Sequence, residues 1–203
     1  MNSGKWKITG YAVYRDGSYN VGRDGSWTAV DSVADLYRTV LKTTPVKIKK
    51  YEKFFRIGEQ SALTIVMALL AIQQTELSNL SEFDKTAILG YGNDGSHQGN
   101  LTYWNDFAGN GKISAQGHLF VGTLASTPLC QLSLILGCHA PVYYVSPSAG
   151  RASLAAELDF LHDQCRNLFL IELKHDYCSC LFLQAEEMGE SSENVITSLG
   201  DFE

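Results

Sequence analysis

Residues Val121–Cys165 read VGTLASTPLCQLSLILGCHAPVYYVSPSAGRASLAAELDFLHDQC, and their reading decides the fold. Thr127-Pro128 opens a helix, the threonine as N-cap and the proline in the first turn, where its missing N–H costs nothing. Gly137 is placed to end that helix in a left-handed conformation. Val142–Val145 follows as a short buried strand, and Ser153–Cys165 as a helix with Leu154, Leu158, Leu161 and Cys165 on one face. The polar corner between them, Ser146-Pro147-Ser148-Ala149-Gly150, leaves the carboxyl end of a strand and enters a helix, where α/β folds present reactive groups.

Working outward, Lys5–Tyr14 alternates and is rich in β-formers, which predicts a first strand. Arg15–Trp27 holds two Asp-Gly pairs and reads as a turn or mobile loop. Asp31–Leu41 places Val33, Leu36, Tyr37 and Val40 on one helical face, with Pro45 as its stop. Glu52–Gln74 predicts the long helix of the chain, apolar nearly all round in its second half, so that it must be covered on most sides. Lys85–Gly90 reads as a buried parallel strand. Gly92–Gly111 reads as loops with a short helix. Leu168–Leu173 and Cys180–Gln184, joined by a short polar link, predict an antiparallel hairpin. The expected fold is α/β: one mixed, mostly parallel five-stranded sheet with helices packed on it, in a domain of residues 1–188. Residues 189–203 are acidic and Ser-rich and predict a flexible tail.

The 203 residues carry a formal charge of −6 and are 45% hydrophobic, which suits a soluble core and argues against nucleic acid or an anionic membrane as partner. The amino terminus has no apolar signal region, and the longest apolar run is too short to span a bilayer. Five cysteines without paired spacing predict reduced thiols and a cytoplasmic location. Cys178 and Cys180 would share one face of a strand, but a metal would need two more ligands, so no metal is expected.

Gly90-Tyr-Gly92-Asn-Asp-Gly95 matches the dinucleotide fingerprint, yet Ser96–Asn100 is a poor helix start and no acidic strand end follows at the right distance. No cofactor is expected, and the glycines read as a loop needing positive φ. Ser146 and Ser148 invite a nucleophile reading, without a G-x-S-x-G elbow or an assignable triad. His97 and His118 fall in loops, His139 follows a helix end where it could cap carbonyls, and His162 and His175 read as surface residues.

Thr127-Pro128, the helix to Leu136-Gly137, Ala140-Pro141-Val142 and Val145-Ser146 together resemble the amino-terminal half of a β-ketoacyl synthase of the thiolase fold. Phe54–Ile72 resembles that family's first core helix, and Ile88–Gly92 its second strand and Gly-rich turn. The resemblance covers residues 5–187, is most specific from Ser126 to Ala156, and implies half of a thiolase-like fold. Laid without gaps from Pro141, it sets the family's nucleophilic cysteine on Ala149, followed by Gly150, where a methyl group cannot attack an acyl thioester; sliding by one puts Ser148 there, which is not a thiolate either. The family's second half, with its two histidines, has no counterpart in this sequence. The resemblance therefore implies a synthase-like protein without independent condensing activity: a scaffold or partner subunit in a type II fatty-acid or polyketide-like (polyene) pathway. It would form a homodimer, or a heterodimer with a full-length ketosynthase, through Val142–Val145. An acidic acyl carrier protein would be a further partner, at Lys47, Lys49, Lys50 and Lys53. The alternative is an acyl-transfer or acyl-binding enzyme using Ser148 or Ser146 in the degenerate pocket.

Overall fold

The computed structural model describes residues 5–22, 25–46, 48, 57–77, 79–92, 96–114, 116–146, 150–186 and 189–200. Its eight strands are β1 (Lys5–Arg15), β2 (Ser18–Val21), β3 (Thr28–Ala29), β4 (Thr86–Tyr91), β5 (Val142–Val145), β6 (Asn167–Lys174), β7 (Tyr177–Ala185) and β8 (Glu190–Ser191). They form one sheet in the order β3-β2-β1-β7-β6-β4-β5, with β8 also paired to β1. The α-helices among the described residues are α1 (Val33–Thr43), α2 (Glu59–Ile72), α3 (His97–Ser114), α4 (Gly117–Val121), α5 (Thr127–Leu136), α6 (Gly150–His162) and α7 (Ser192–Gly200), with a 3-10 turn at Leu80–Phe83.

The five expected strands form the continuous run β1-β7-β6-β4-β5, and β6 and β7 make the expected antiparallel hairpin. The sheet is larger and less parallel than five mostly parallel strands, because only β4 pairs in parallel, with β5 and β6. Every other pairing is antiparallel. Part of the excess comes from Arg15–Trp27, where the expected turn falls at Asp16-Gly17 and leads into β2. Asp16 and Gly17 take φ of 47° and 77°, and Arg15 faces Ser18 across them. That is the two-residue hairpin connection whose twist matches the strands it joins.

Alternation along the strands sends side chains to two cores. Ala12, Ile88, Phe169, Ile171, Cys178, Cys180 and Phe182 pack under α1, α2 and α5. Trp6, Tyr11, Val13, Ala87, Leu89, Leu168, Leu170, Leu181 and Leu183 pack under α6 and α7. Helix α2 is buried from Gln60 to Ile72, between the sheet, α1 and α5, as an all-apolar helix requires. It begins at Glu59 rather than Glu52, with Gly58 as an extended N-cap. Residues 51–56, including Phe54 and Phe55, lie outside the described residues.

Three further expectations are corrected. Residues His97–Ser114 form a long helix with a break at Gly111 (φ 75°), not loops with a short helix. Ser96 anchors its start by donating its hydroxyl to the Thr123 carbonyl, a tertiary tie that offsets poor local propensity. Within the segment from Gly189, residues 189–200 are packed on the body rather than flexible: β8 pairs with Lys5 and Trp6, and α7 sinks Val195 and Ile196 into the second core. Ser192 then donates to Asp159 on α6 at 2.6 Å. Lastly, the N-cap of α5 is Ser126, one residue before Thr127, whose hydroxyl instead donates to the Val121 carbonyl at 2.5 Å.

Candidate functional site

The parallel strands set the frame. β4 aligns Tyr91 with Val145 of β5 and Glu172 of β6, so the carboxyl ends of all three strands finish together. Ser146 follows β5 and is exposed, and α6 begins at Gly150 with φ 73°, a left-handed entry that suits glycine. The structure thus places Ser146 and Gly150 at the two ends of the expected corner. Ser148 and Ala149 lie outside the described residues, as do Lys47, Lys49, Lys50 and Lys53.

A polar row that sequence reading missed crosses the sheet beside this corner. Register sets Val13, Ser179, Glu172, Tyr91 and Val145 in one line on the α6 face. Glu172 is nearly buried, with Lys174 Nζ 3.1 Å from one carboxylate oxygen and the Tyr91 hydroxyl donating to the other at 3.4 Å. Lys174 also lies over the Tyr177 ring, 5.1 Å from its centroid. Burial first, and the Glu172 charge second, push the Tyr91 phenol well above its ordinary range, so it stays a neutral donor. The signal for this row was period-2 alternation, which puts Glu172 on the same face as Leu168 and Leu170.

At the sheet margin, β5 is bonded to β4 on one side and is the last strand of the sheet. All four of its residues are half-buried. Val142 and Tyr144 pack on the α2–α5 core, and Tyr143 and Val145 on the α6 core. The Tyr143 hydroxyl donates to Glu157 of α6 at 2.6 Å, and burial together with that bond raises its pKa. On the other face the Tyr144 hydroxyl donates to the Gly92 carbonyl at 2.7 Å, and Gly92 takes φ 132°. Gly90 fits beneath α5 because a Cβ there would lie 2.6 Å from Leu129 and 2.8 Å from Tyr144. The fingerprint glycine is therefore a packing contact, although a helix, α3, does start soon after it.

The remaining candidates are scattered. His97 is the exposed first residue of α3 rather than a loop residue, and His118 falls in α4. His139 is exposed and meets Asp84 instead of capping a helix: its Nδ1 is 2.6 Å from the carboxylate and its N–H donates to the Asp84 carbonyl. His162 is half-buried, not a surface residue, with its ring edge-on to Trp6 at 5.3 Å. His175 is exposed in the β6–β7 turn. Among the described residues no group of three His, Cys, Asp or Glu is arranged for a metal. Cys178 and Cys180 share the core under α2. Burial pushes the Cys178 and Cys138 thiols up to about 12 and Cys165 up to about 11, and raises Cys180 well above its ordinary range. These four are neutral, enclosed thiols, unsuited to nucleophilic attack, while Cys130 is exposed on α5.

Against this geometry, no family model matches the sequence, and neither does any curated protein. Solved structures do match. A ketosynthase from Xenorhabdus doucetiae, in complex with its chain length factor, aligns over 90% of this chain and 79% of its own, with TM-score 0.58 and 13% identity. The fold is that of the ketosynthases. The ishigamide ketosynthase/chain length factor aligns over 93% of this chain at TM-score 0.58 and 10% identity, and this chain spans 64% of that one. A type II polyketide acyl-carrier protein complex with its ketosynthase gives TM-score 0.55 and 12% identity, over 92% of this chain and 59% of that one. The ketosynthase-like fold, with its thiolase-type α/β layers, is thus carried by a chain that spans under two-thirds of the latter two relatives. Among the described residues no helix is long and apolar enough to cross a membrane.

Proposed function

We propose that this chain is a non-catalytic, synthase-like scaffold or partner subunit, working in the cytoplasm in a type II fatty-acid or polyketide-like (polyene) pathway. It pairs with itself or with a full-length ketosynthase through β5. The observation that carries this reading is the open margin of β5, whose four residues are only half-buried. An unpaired edge strand offers a row of N–H and C=O groups to another chain. Two further observations support it. The sequence has Ala149 where the resemblance sets the nucleophilic cysteine, and the fold matches are to ketosynthases complexed with a chain length factor or an acyl-carrier protein. By the same reading the Lys47–Lys53 cluster would receive an acidic carrier protein.

The test is size exclusion with light scattering, on the chain alone and co-expressed with ketosynthases of its own genome. The expected result is a dimer in one of the two preparations. Tyr143→Lys brings a charge to the edge while keeping a partner for Glu157, and should weaken that dimer at least tenfold with unchanged circular dichroism. A monomer in both preparations sinks the proposal. Incubation with acyl-carrier thioesters should leave no adduct by intact mass; an adduct lost in Ser148→Ala would instead favour acyl transfer.

A further inference from the structure

Helix α5 has one flank that the chain leaves uncovered. Pro128 lines a cavity together with Glu59, Gln60 and Ser61 of α2, and the buried Ile135 repeats that side two turns on, so these residues mark the flank turned to α2. Leu129, Leu132 and Leu136 turn to the sheet, with Leu129 lying over Gly90 of β4. The flank turned away from α2 carries Cys130, Ser133 and Leu134. Cys130 is exposed, Ser133 is half-buried, and Leu134 is the most exposed large apolar side chain among the described residues. No residue from Thr127 to Leu136 is charged.

The place of α5 over the sheet decides what fits that flank. The helix lies over β4 and β5, so its axis runs about half a strand spacing inside β5. β5 is the last strand of the sheet, and a strand added to its outer side stands one spacing, about 4.8 Å, beyond it. Let that strand be β5 of a second copy, related by a twofold axis through the sheet. The axis then falls half a spacing outside β5, and each α5 is one spacing from it. The two helices therefore lie on the same face of the joined sheet, about 10 Å apart. Packed helices lie about 8–10 Å apart, so a twofold at β5 brings the second α5 to packing distance with no other element moved. Small side chains at Cys130 and Ser133 allow that approach. The absence of charge on α5 lets two copies of a chain with net charge −6 meet there without like charges in the contact.

We propose that the partner at β5 is a second copy of this chain, and that the two α5 helices pack antiparallel across the twofold with Cys130, Ser133 and Leu134 of each in the seam. The contact is isologous, so it closes at two copies. It rests on the pairing through β5 proposed above. The experiment uses the full chain alone, with bis(maleimido)ethane as a short thiol cross-linker and light scattering to follow the dimer. Cys138, Cys165, Cys178 and Cys180 are buried, so Cys130 is the thiol that reacts. The native chain should give a covalent dimer on a denaturing gel, and Cys130→Ser at least tenfold less. Leu134→Glu should weaken the dimer at least tenfold with unchanged circular dichroism, because the single chain leaves this side chain exposed. A dimer that Tyr143→Lys breaks, but that Leu134→Glu leaves intact or Cys130 does not bridge, overturns the α5 contact while pairing through β5 stands. A chain that pairs only with a ketosynthase overturns the second copy as partner, again without touching β5. A monomer in every preparation removes both.

Discussion

Helices α2 and α5 pack against each other on one face of the sheet, yet only α2 is closed on every side. Gln60–Ile72 is buried throughout, over the antiparallel centre made by β1 and β7. Helix α5 lies over β4 and β5, buries Leu129, Leu132 and Leu136, and leaves Leu134 74% exposed. The centre of the molecule is finished by the chain itself. Its β5 margin is not, and the two regions should respond to perturbation in opposite ways.

Alkali should strike the closed region hardest. A thiol whose folded pKa is raised contributes stability that is whole below its unfolded value near 9, and is lost as pH climbs through the folded value. With Cys178 of β7 pushed up to about 12, urea midpoints should fall steadily from pH 9 to 12. A midpoint flat across that range would mean that the centre is looser than described. Below pH 9 the largest single effect should come from Leu69→Ala in α2, where loss of a fully buried side chain costs about 2–5 kcal/mol. Gly90→Ala tests the join between the regions: its Cβ would press on Leu129 and Tyr144, at a cost of about 1–3 kcal/mol in the same unfolding assay. Leu134→Glu, at the open side, should change the stability of the dilute chain by no more than about 0.5 kcal/mol. A larger loss would show Leu134 to be covered in solution, and light scattering would then show whether a second chain covers it.

The same division governs what could be read from sequence. The central strands and α2 announce themselves through long apolar runs, because a fully enclosed element has no polar face to dilute its pattern. Gly137 at φ 69° and the Thr127-Pro128 opening were legible to within one residue, since capping is local chemistry. What escaped was held by tertiary partners. Helix α3 rests on Ser96 reaching the Thr123 carbonyl, and α7 on Val195, Ile196 and the Ser192–Asp159 bond. Neither has the composition of a strong helix. The Asp16-Gly17 turn was legible from its dipeptide, but the strand β2 that follows it was not. Of the candidate site, the strand–corner–helix frame was visible, but the Glu172–Lys174–Tyr91 group was not, since it exists only once β4 and β6 are in register.

The pairing of β1 with β7 has a consequence for how the chain comes into being. Thr9 donates to the carbonyl of Phe182, 173 positions away, along the central seam. At a synthesis rate of roughly 5–20 residues per second, the first strand waits on the order of ten to thirty seconds for the partner that completes it. During that interval α2 has left the ribosome without the two strands that roof it. The most apolar of the described helices thus completes its burial only when the hairpin at Lys174–Tyr177 arrives.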